Sequence, residues 1–220
     1  MEALERKTMT EQMRLAKQEE FIRIYKEKIF RKGADKLLDY LCSEESDFFT
    51  APASTRFHGA YAGGLLEHSL NVYECLKDYL ARPRVQSLYG MQYSEESIAI
   101  AALLHDICKM NFYTVDYRNS KNAQGQWEKV PYYKIEDRFP YGHGEKSVYM
   151  IQFFMHLKKE EAFAIRWHMG FSGPEDANTV GRALEQYPLA FALCTADMEA
   201  SYFMEGAAAL ASKQAEEAAQ

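Results

Sequence analysis

Apolar residues recur along this chain at spacings of three and four, the period of helices that bury one face. Across residues 8–32, Met9, Met13, Ala16, Phe21, Ile24 and Ile29 form such a stripe among charges, and Gly33 supplies a stop. A second helix is expected over about 34–44 through Leu37, Leu38 and Leu41. The run of small residues at 50–62 reads as a loop. Gly63 and Gly64 then precede a helix of about 65–81, which Arg82 and Pro83 close. Ser94 is a good N-cap, and Glu95 and Glu96 suit a first turn. The helix they open carries Ile98, Ala101, Ala102 and His105 to about Lys109.

The pattern changes over residues 112–137. FYTVDYRN and WEKVPYYKIED are rich in β-branched and aromatic residues and are separated by SKNAQGQ. This predicts a small hairpin, or an irregular excursion, since Pro131 interrupts the second run. Helical spacing resumes after Pro140, with helices expected near 144–158, 160–169, 176–186 and 188–205. The fold expected is therefore all-α, a helical bundle with a hairpin or irregular excursion near 112–137. Three segments are expected: an amphipathic helix at 1–35, a main domain at 36–206 and an Ala-rich tail at 207–220.

Composition narrows the class. The 220 residues are 47% hydrophobic and 26% charged, which suits a folded globular chain and excludes low-complexity architecture for most of it. No apolar run is long enough to span a membrane, and the N-terminus lacks the apolar core of an export signal. The four cysteines are scattered with no CxxC pair, so a reduced, cytoplasmic protein is the expectation. The net charge of -6 hides an asymmetry. Residues 1–36 carry ten basic and seven acidic side chains, and the remainder carries 16 and 25. An acidic body argues against broad duplex binding, which needs many phosphate contacts. The basic first helix reads as a solvated face, with a nucleic-acid arm as the alternative.

The chemistry-bearing residues are few. His105 and Asp106 adjoin in AALLHDICK, where side chains about 100° apart can point into one wedge between helices. Imidazole beside carboxylate is a donor pair that divalent transition metals accept. His68 lies in the buried-helix pattern GGLLEHSLNV, His143 in YGHGEKSV and His168 in IRWHMGFSG. Asp197 lies in the apolar stretch LCTADMEASYF. A carboxylate there must face solvent, be hydrogen-bonded or bind metal.

Taken in order, His68, His105-Asp106, His143, His168 and Asp197 resemble the H…HD…H…H…D signature of the HD-domain metal-dependent phosphohydrolases. The flanks are similar too. HGAYAGGLLEHSL looks like the first-motif segment of bacterial HD-domain 3′-to-5′ exoribonucleases, AALLHDICK like the family's LLHDxxK element, and TADMEAS like its closing element. The resemblance covers about residues 55–205. It implies an HD-domain helical bundle holding two divalent transition-metal ions, of Fe, Mn, Co, Ni or Zn. His68, His105, Asp106 and Asp197 would bind the first, and His143 and His168 the second, with Asp106 bridging.

The activity implied is phosphomonoester or phosphodiester hydrolysis of a nucleotide or short oligonucleotide by metal-activated hydroxide, with Asp106 and Lys109 as catalytic residues. Two other readings stay open: an HD-fold diiron oxygenase, and a non-enzymatic, metal-stabilised nucleotide sensor. Lys109, Lys146, His58 and Arg56 are the candidates for holding substrate phosphate. For Lys109 the alternative is a cation answering the helix dipole. Glu67 is either a partner of His68 or exposed, and His156 is expected to be exposed. The aromatic excursion is either a wall of the substrate pocket or a hairpin packed on the bundle. The first helix could also join two copies of the chain.

Overall fold

A helix of small and branched residues, α5 (Glu95–Leu104), runs through the middle of this fold. The structure is a computed structural model that describes residues 9–122 and 124–205; the tail expected at 207–220 and the first eight residues lie outside the described residues. Every α5 position from Ser97 to Leu104 is buried. Its alanines have no side chain beyond Cβ, so neighbouring helices can approach closely. Ser94 caps it as expected, its hydroxyl accepting from the Ser97 N–H at 3.1 Å. Three helices pack on α5: α1 (Glu11–Lys28), α3 (Gly64–Ala81) and α7 (Lys159–Trp167). A further helix, α9 (Pro188–Glu199), lies against both α3 and α7. Two more, α6 (His143–Gln152) and α8 (Ala177–Gln186), flank α7. Two short helices, α2 (Ala34–Leu41) and α4 (Pro83–Ser87), complete the bundle.

The first helix is shorter than its apolar stripe. Phe21, Ile24 and Tyr25 are buried, whereas Met13 and Leu15 are exposed, so only the second half of α1 meets the core. The chain leaves the helix at Ile29, which is extended, four residues before Gly33. Gly33 opens α2 instead of closing α1. It has φ 91°, and a Cβ there would lie 1.9 Å from the Phe154 carbonyl oxygen. The start of α3 depends on a second close approach. A Cβ on Gly64 would meet the Gly59 carbonyl oxygen at 1.9 Å, so the 50–63 loop can lie directly on the helix. The loop is fastened there by Leu65 N–H to Ala51 O and Ala53 N–H to Gly59 O.

The excursion is a two-stranded antiparallel hairpin, β1 (Tyr113–Lys121) with β2 (Trp127–Ile135). Pro131 stands opposite Tyr117 within it. A two-stranded ribbon has two free edges, which tolerate the missing N–H. The hairpin meets the body at its base, where the Tyr113 hydroxyl donates to Ala53 O at 3.3 Å. Val115, Tyr117 and Trp127 are exposed. Lys121 lies over the Trp127 ring and Arg118 over Tyr132, so these cations stay within the ribbon.

Candidate metal centre

The helix predicted to run to Lys109 stops at Leu104. His105 forms its C-cap, Asp106 leaves helical geometry at φ -106° and ψ 18°, and Ile107–Lys109 make a 3-10 turn. His105 Nδ1–H donates to the Ala102 carbonyl at 2.8 Å, a local bond that competes with continuation of the helix. The break turns the Asp106 carboxylate into the space between α3, α6, α7 and α9. Each of these helices supplies another expected residue: His68 from within α3, His143 from the first position of α6, His168 from the end of α7 and Asp197 from within α9.

The six side chains converge. His68 Nε2 lies 3.2 Å from Asp197 Oδ1, 3.2 Å from His105 Nε2 and 3.6 Å from Asp106 Oδ2. His105 Nε2 is 3.4 Å from the same Asp106 oxygen. The other oxygen, Oδ1, is 2.9 Å from His143 Nε2 and 3.4 Å from His168 Nε2. One carboxylate thus divides its oxygens between two pairs of imidazoles. Donors held about 2.0–2.2 Å from one ion lie roughly 3–3.5 Å from each other, so these separations fit shared cations. Four trios among the described residues have donor atoms within 4.8 Å of one another: His58, His68 and Glu205; His68, His105 and Asp197; His105, Asp106 and His168; and Asp106, Cys108 and His143.

The ring orientations give a second test of fit. All four histidines have Nδ1 occupied on the outside and Nε2 pointed inward. His105 and His168 donate from Nδ1 to the carbonyls of Ala102 and Ile165, at 2.8 and 2.6 Å. His68 Nδ1 meets Glu205 Oε1 at 2.9 Å, and His143 Nδ1 meets Cys108 Sγ at 3.3 Å. Holding the distal nitrogen fixes the tautomer that leaves Nε2 free to ligate. His168 Nε2 is buried and has no hydrogen-bond partner among the described residues. Such an atom is costly to bury unless something binds it.

Electrostatics follow the same arrangement. Burial opposes charge on His68, but Asp197 and Glu205 outweigh it and bring its pKa up to about 10. Burial also opposes ionised Asp106, yet Lys109, His105 and His143 hold its carboxyl well below the usual range. Asp197 is depressed as well, because His68 outweighs burial. His105 is lowered by burial. The pocket therefore keeps its carboxylates ionised and favours the charged form of His68 but not of His105. Its floor is closed, with His68, His105, Asp106 and His168 at most 2% exposed. The opening is at the rim, where the His143 side chain is 35% and Asp197 16% exposed.

The candidate substrate residues divide. Lys109 joins the cluster, its Nζ 2.5 Å from Asp106 Oδ2. The His58 ring is 5.0 Å from that of His68, with Nε2 buried and lacking a partner among the described residues. Lys146 does not reach the cluster with its charge. Its ammonium is held by Asp137 at 2.5 Å and lies over the rings of Phe112 and Phe139, because those residues close around it where the chain enters α6. Arg56 is exposed over the Phe57 ring. Glu67 is buried, not exposed, and meets Tyr61 and Lys17. His156 is exposed as expected. Sequence reasoning missed Cys108 and Glu205. Cys108 follows Asp106 by two residues, and that adjacency was an available signal. No simple period marks Glu205.

Comparisons with known proteins bear on the family of the chain. The model of the HD domain family matches residues 65–200. A relative from Methanocaldococcus jannaschii, dihydroneopterin 2′,3′-cyclic phosphate phosphodiesterase, is 39% identical over 62 residues. The match covers 27% of this chain and 23% of that protein, so it spans under a quarter of the relative's length. No solved structure matches the chain.

Proposed function

This chain belongs to the HD domain family, and from that premise we propose that it is a metal-dependent phosphohydrolase acting on a nucleotide or short oligonucleotide. The observation that carries the reading is the divided carboxylate of Asp106, with His68 and His105 on one oxygen and His143 and His168 on the other. His68, His105, Asp106 and Asp197 would hold one divalent ion, and His143 and His168 a second, with Asp106 shared. Such ions supply Lewis acidity, which lowers the pKa of water and neutralises phosphoryl oxygens.

The remaining work falls to the chain's own groups. The buried floor excludes bulk water, which strengthens every charge interaction above it. His143 and Asp197 at the rim leave one side open to a phosphate ester. Lys109 is 14% exposed, and Asp106 raises its pKa against the effect of burial, so it stays protonated. Its ammonium rests on Asp106 Oδ2 at 2.5 Å, and from that place beside the cluster it would meet a phosphoryl oxygen as negative charge develops there. Burial and the neighbouring His68 and Lys109 lower the pKa of His58, leaving a neutral imidazole beside His68 for hydrogen bonding.

A phosphodiester substrate is consistent with the named activity of the relative, and this reading includes both mono- and diesters. The test is a panel of nucleoside monophosphates, dinucleotides and a 2′,3′-cyclic phosphodiester, with protein loaded in turn with Mn, Fe, Co, Ni and Zn. Hydrolysis that a chelator abolishes, and that Asp106→Ala loses together with the metal, is the expected result. Hydrolysis retained in Asp106→Ala would refute the reading. Oxygen uptake by the iron-loaded protein with no hydrolysis would turn it to an oxygenase.

A further inference from the structure

The end of α9 carries a carboxylate that none of the assigned roles uses. After Glu199 the helix loosens into a π turn over Ala200–Met204, and Glu205 follows it. π turns inside α-helices are rare and lie frequently at functional sites. Here Glu205 is turned back into the bundle. Its Oε1 lies 2.9 Å from His68 Nδ1 and accepts from Asn71 Nδ2 at 3.1 Å, with the side chain 2% exposed. Its Oε2 is buried with no hydrogen-bond partner among the described residues. Burying a carboxylate in this way is costly, so its position calls for an explanation.

The other anchors supply the contrast. His105 and His168 rest on neutral backbone carbonyls, and His143 meets a thiol that burial raises to about 12. Of the four histidines, His68 is the one whose Nδ1 meets a carboxylate. The same helical run therefore brackets one imidazole, with Asp197 at Nε2 and Glu205 at Nδ1. Accepting the Nδ1–H fixes the ring tautomer and orientation, and the negative charge raises the basicity of Nε2.

We propose that Glu205 is a positioning residue for the metal centre. Held in place by the π turn, it orients His68 and strengthens it as a ligand, so that the ion held by His68, His105, Asp106 and Asp197 binds tightly. The proposal rests on the reading of His68 as a metal ligand.

The test is titration of the metal-free protein with Co²⁺, followed by visible absorption, in the wild type, Glu205→Ala and Glu205→Gln. The wild type is expected to bind in two steps. Glu205→Ala should weaken one step by about 10- to 100-fold and leave the other within about twofold. Glu205→Gln keeps an acceptor without the charge and should recover part of the loss. In the Zn²⁺-loaded protein, nitrogen-15 spectra of the histidine rings should show the His68 Nδ1–H signal moved in both variants. Wild-type affinity in both variants would overturn the role of Glu205 and leave the metal reading intact. Equal weakening of both steps, together with a lowered unfolding temperature of the metal-free chain, would show a general structural role and also overturn it. A wild type that binds no Co²⁺ would overturn the metal reading and this proposal with it.

Discussion

Replacing Glu161 with alanine tests how the centre is held together. Glu161 sits in the first turn of α7, with its side chain fully buried. It receives both arms of the Arg31 guanidinium, at 2.5 and 2.9 Å, the Ser97 hydroxyl at 2.7 Å and the Lys158 N–H at 2.7 Å. Arg31 also reaches Glu96 at 3.0 Å and the His156 carbonyl at 2.9 Å. The network ties the α1–α2 turn to α5, which ends at His105, and to α7, which ends at His168. Glu161→Ala leaves a mostly buried guanidinium with half its partners, takes the carboxylate acceptor from the Ser97 hydroxyl, which keeps Ser94 Oγ at 2.9 Å and Lys158 Nζ at 3.3 Å, and removes the acceptor of the Lys158 N–H. Breaking such a pair costs about 3–5 kcal/mol. For a chain of this length that lowers the thermal midpoint by roughly 6–20 °C.

The pH dependence has a definite sign. Burial opposes ionised Glu161 and Glu96, but hydrogen bonds from Arg31 outweigh it, so both pKa values fall below their usual position. Their stabilisation is present above the unfolded carboxylate pKa, about 4.3, and is lost as pH falls through the depressed folded values. The gap between wild type and Glu161→Ala, followed by circular dichroism in urea at several pH values, should therefore be full at pH 7 and shrink below about pH 4. Arg31→Met combined with Glu161→Leu should cost less than the sum of the single changes. A Glu161→Ala cost below about 1 kcal/mol at pH 7, the level of a surface pair, would refute this account of the network.

Three further outcomes follow from the same geometry. Lys109→Met should lower kcat/KM by about 10²- to 10³-fold while bound metal stays at the wild-type level, because the ammonium acts on developing charge and does not ligate; steady-state kinetics and elemental analysis check this. Gly64→Ala should cost about 1–3 kcal/mol in urea unfolding, since its Cβ would drive the Gly59 carbonyl away and displace the loop that carries His58. Combined Tyr132→Ala and Tyr133→Ala should raise KM if the hairpin walls the substrate pocket, and an unchanged KM for every active substrate would remove it from that role.

The helices were legible in the sequence through local signals, and the six converging residues through the resemblance of their order to the HD-domain signature, none being singled out by its own surroundings. Ser94 is a side-chain cap, the run Ile98–Leu104 is apolar on all sides, and the order of histidines and aspartates is a pattern in one dimension. The break at His105 and Asp106 was not legible, since AALLHDICK continues as a helix by periodicity alone. The stop comes from a side chain bonding to its own preceding turn. Lys146 looked available because it follows His143 by three residues, but Asp137 and two phenylalanine rings hold it through contacts the helix period does not encode. Glu205 was hidden for a related reason. Eight residues along an α-helix lie about 80° away from Asp197 in direction, and it takes the intervening π turn to bring both carboxylates to one imidazole.

The central claim, that the divided carboxylate of Asp106 joins two metal ions, is tested most directly by elemental analysis of the purified wild type and Asp106→Ala. The account predicts two divalent transition-metal ions per wild-type chain, with loss of both bound metal and hydrolysis in the variant. Active wild-type protein without transition metal, or Asp106→Ala that keeps both ions, would contradict it.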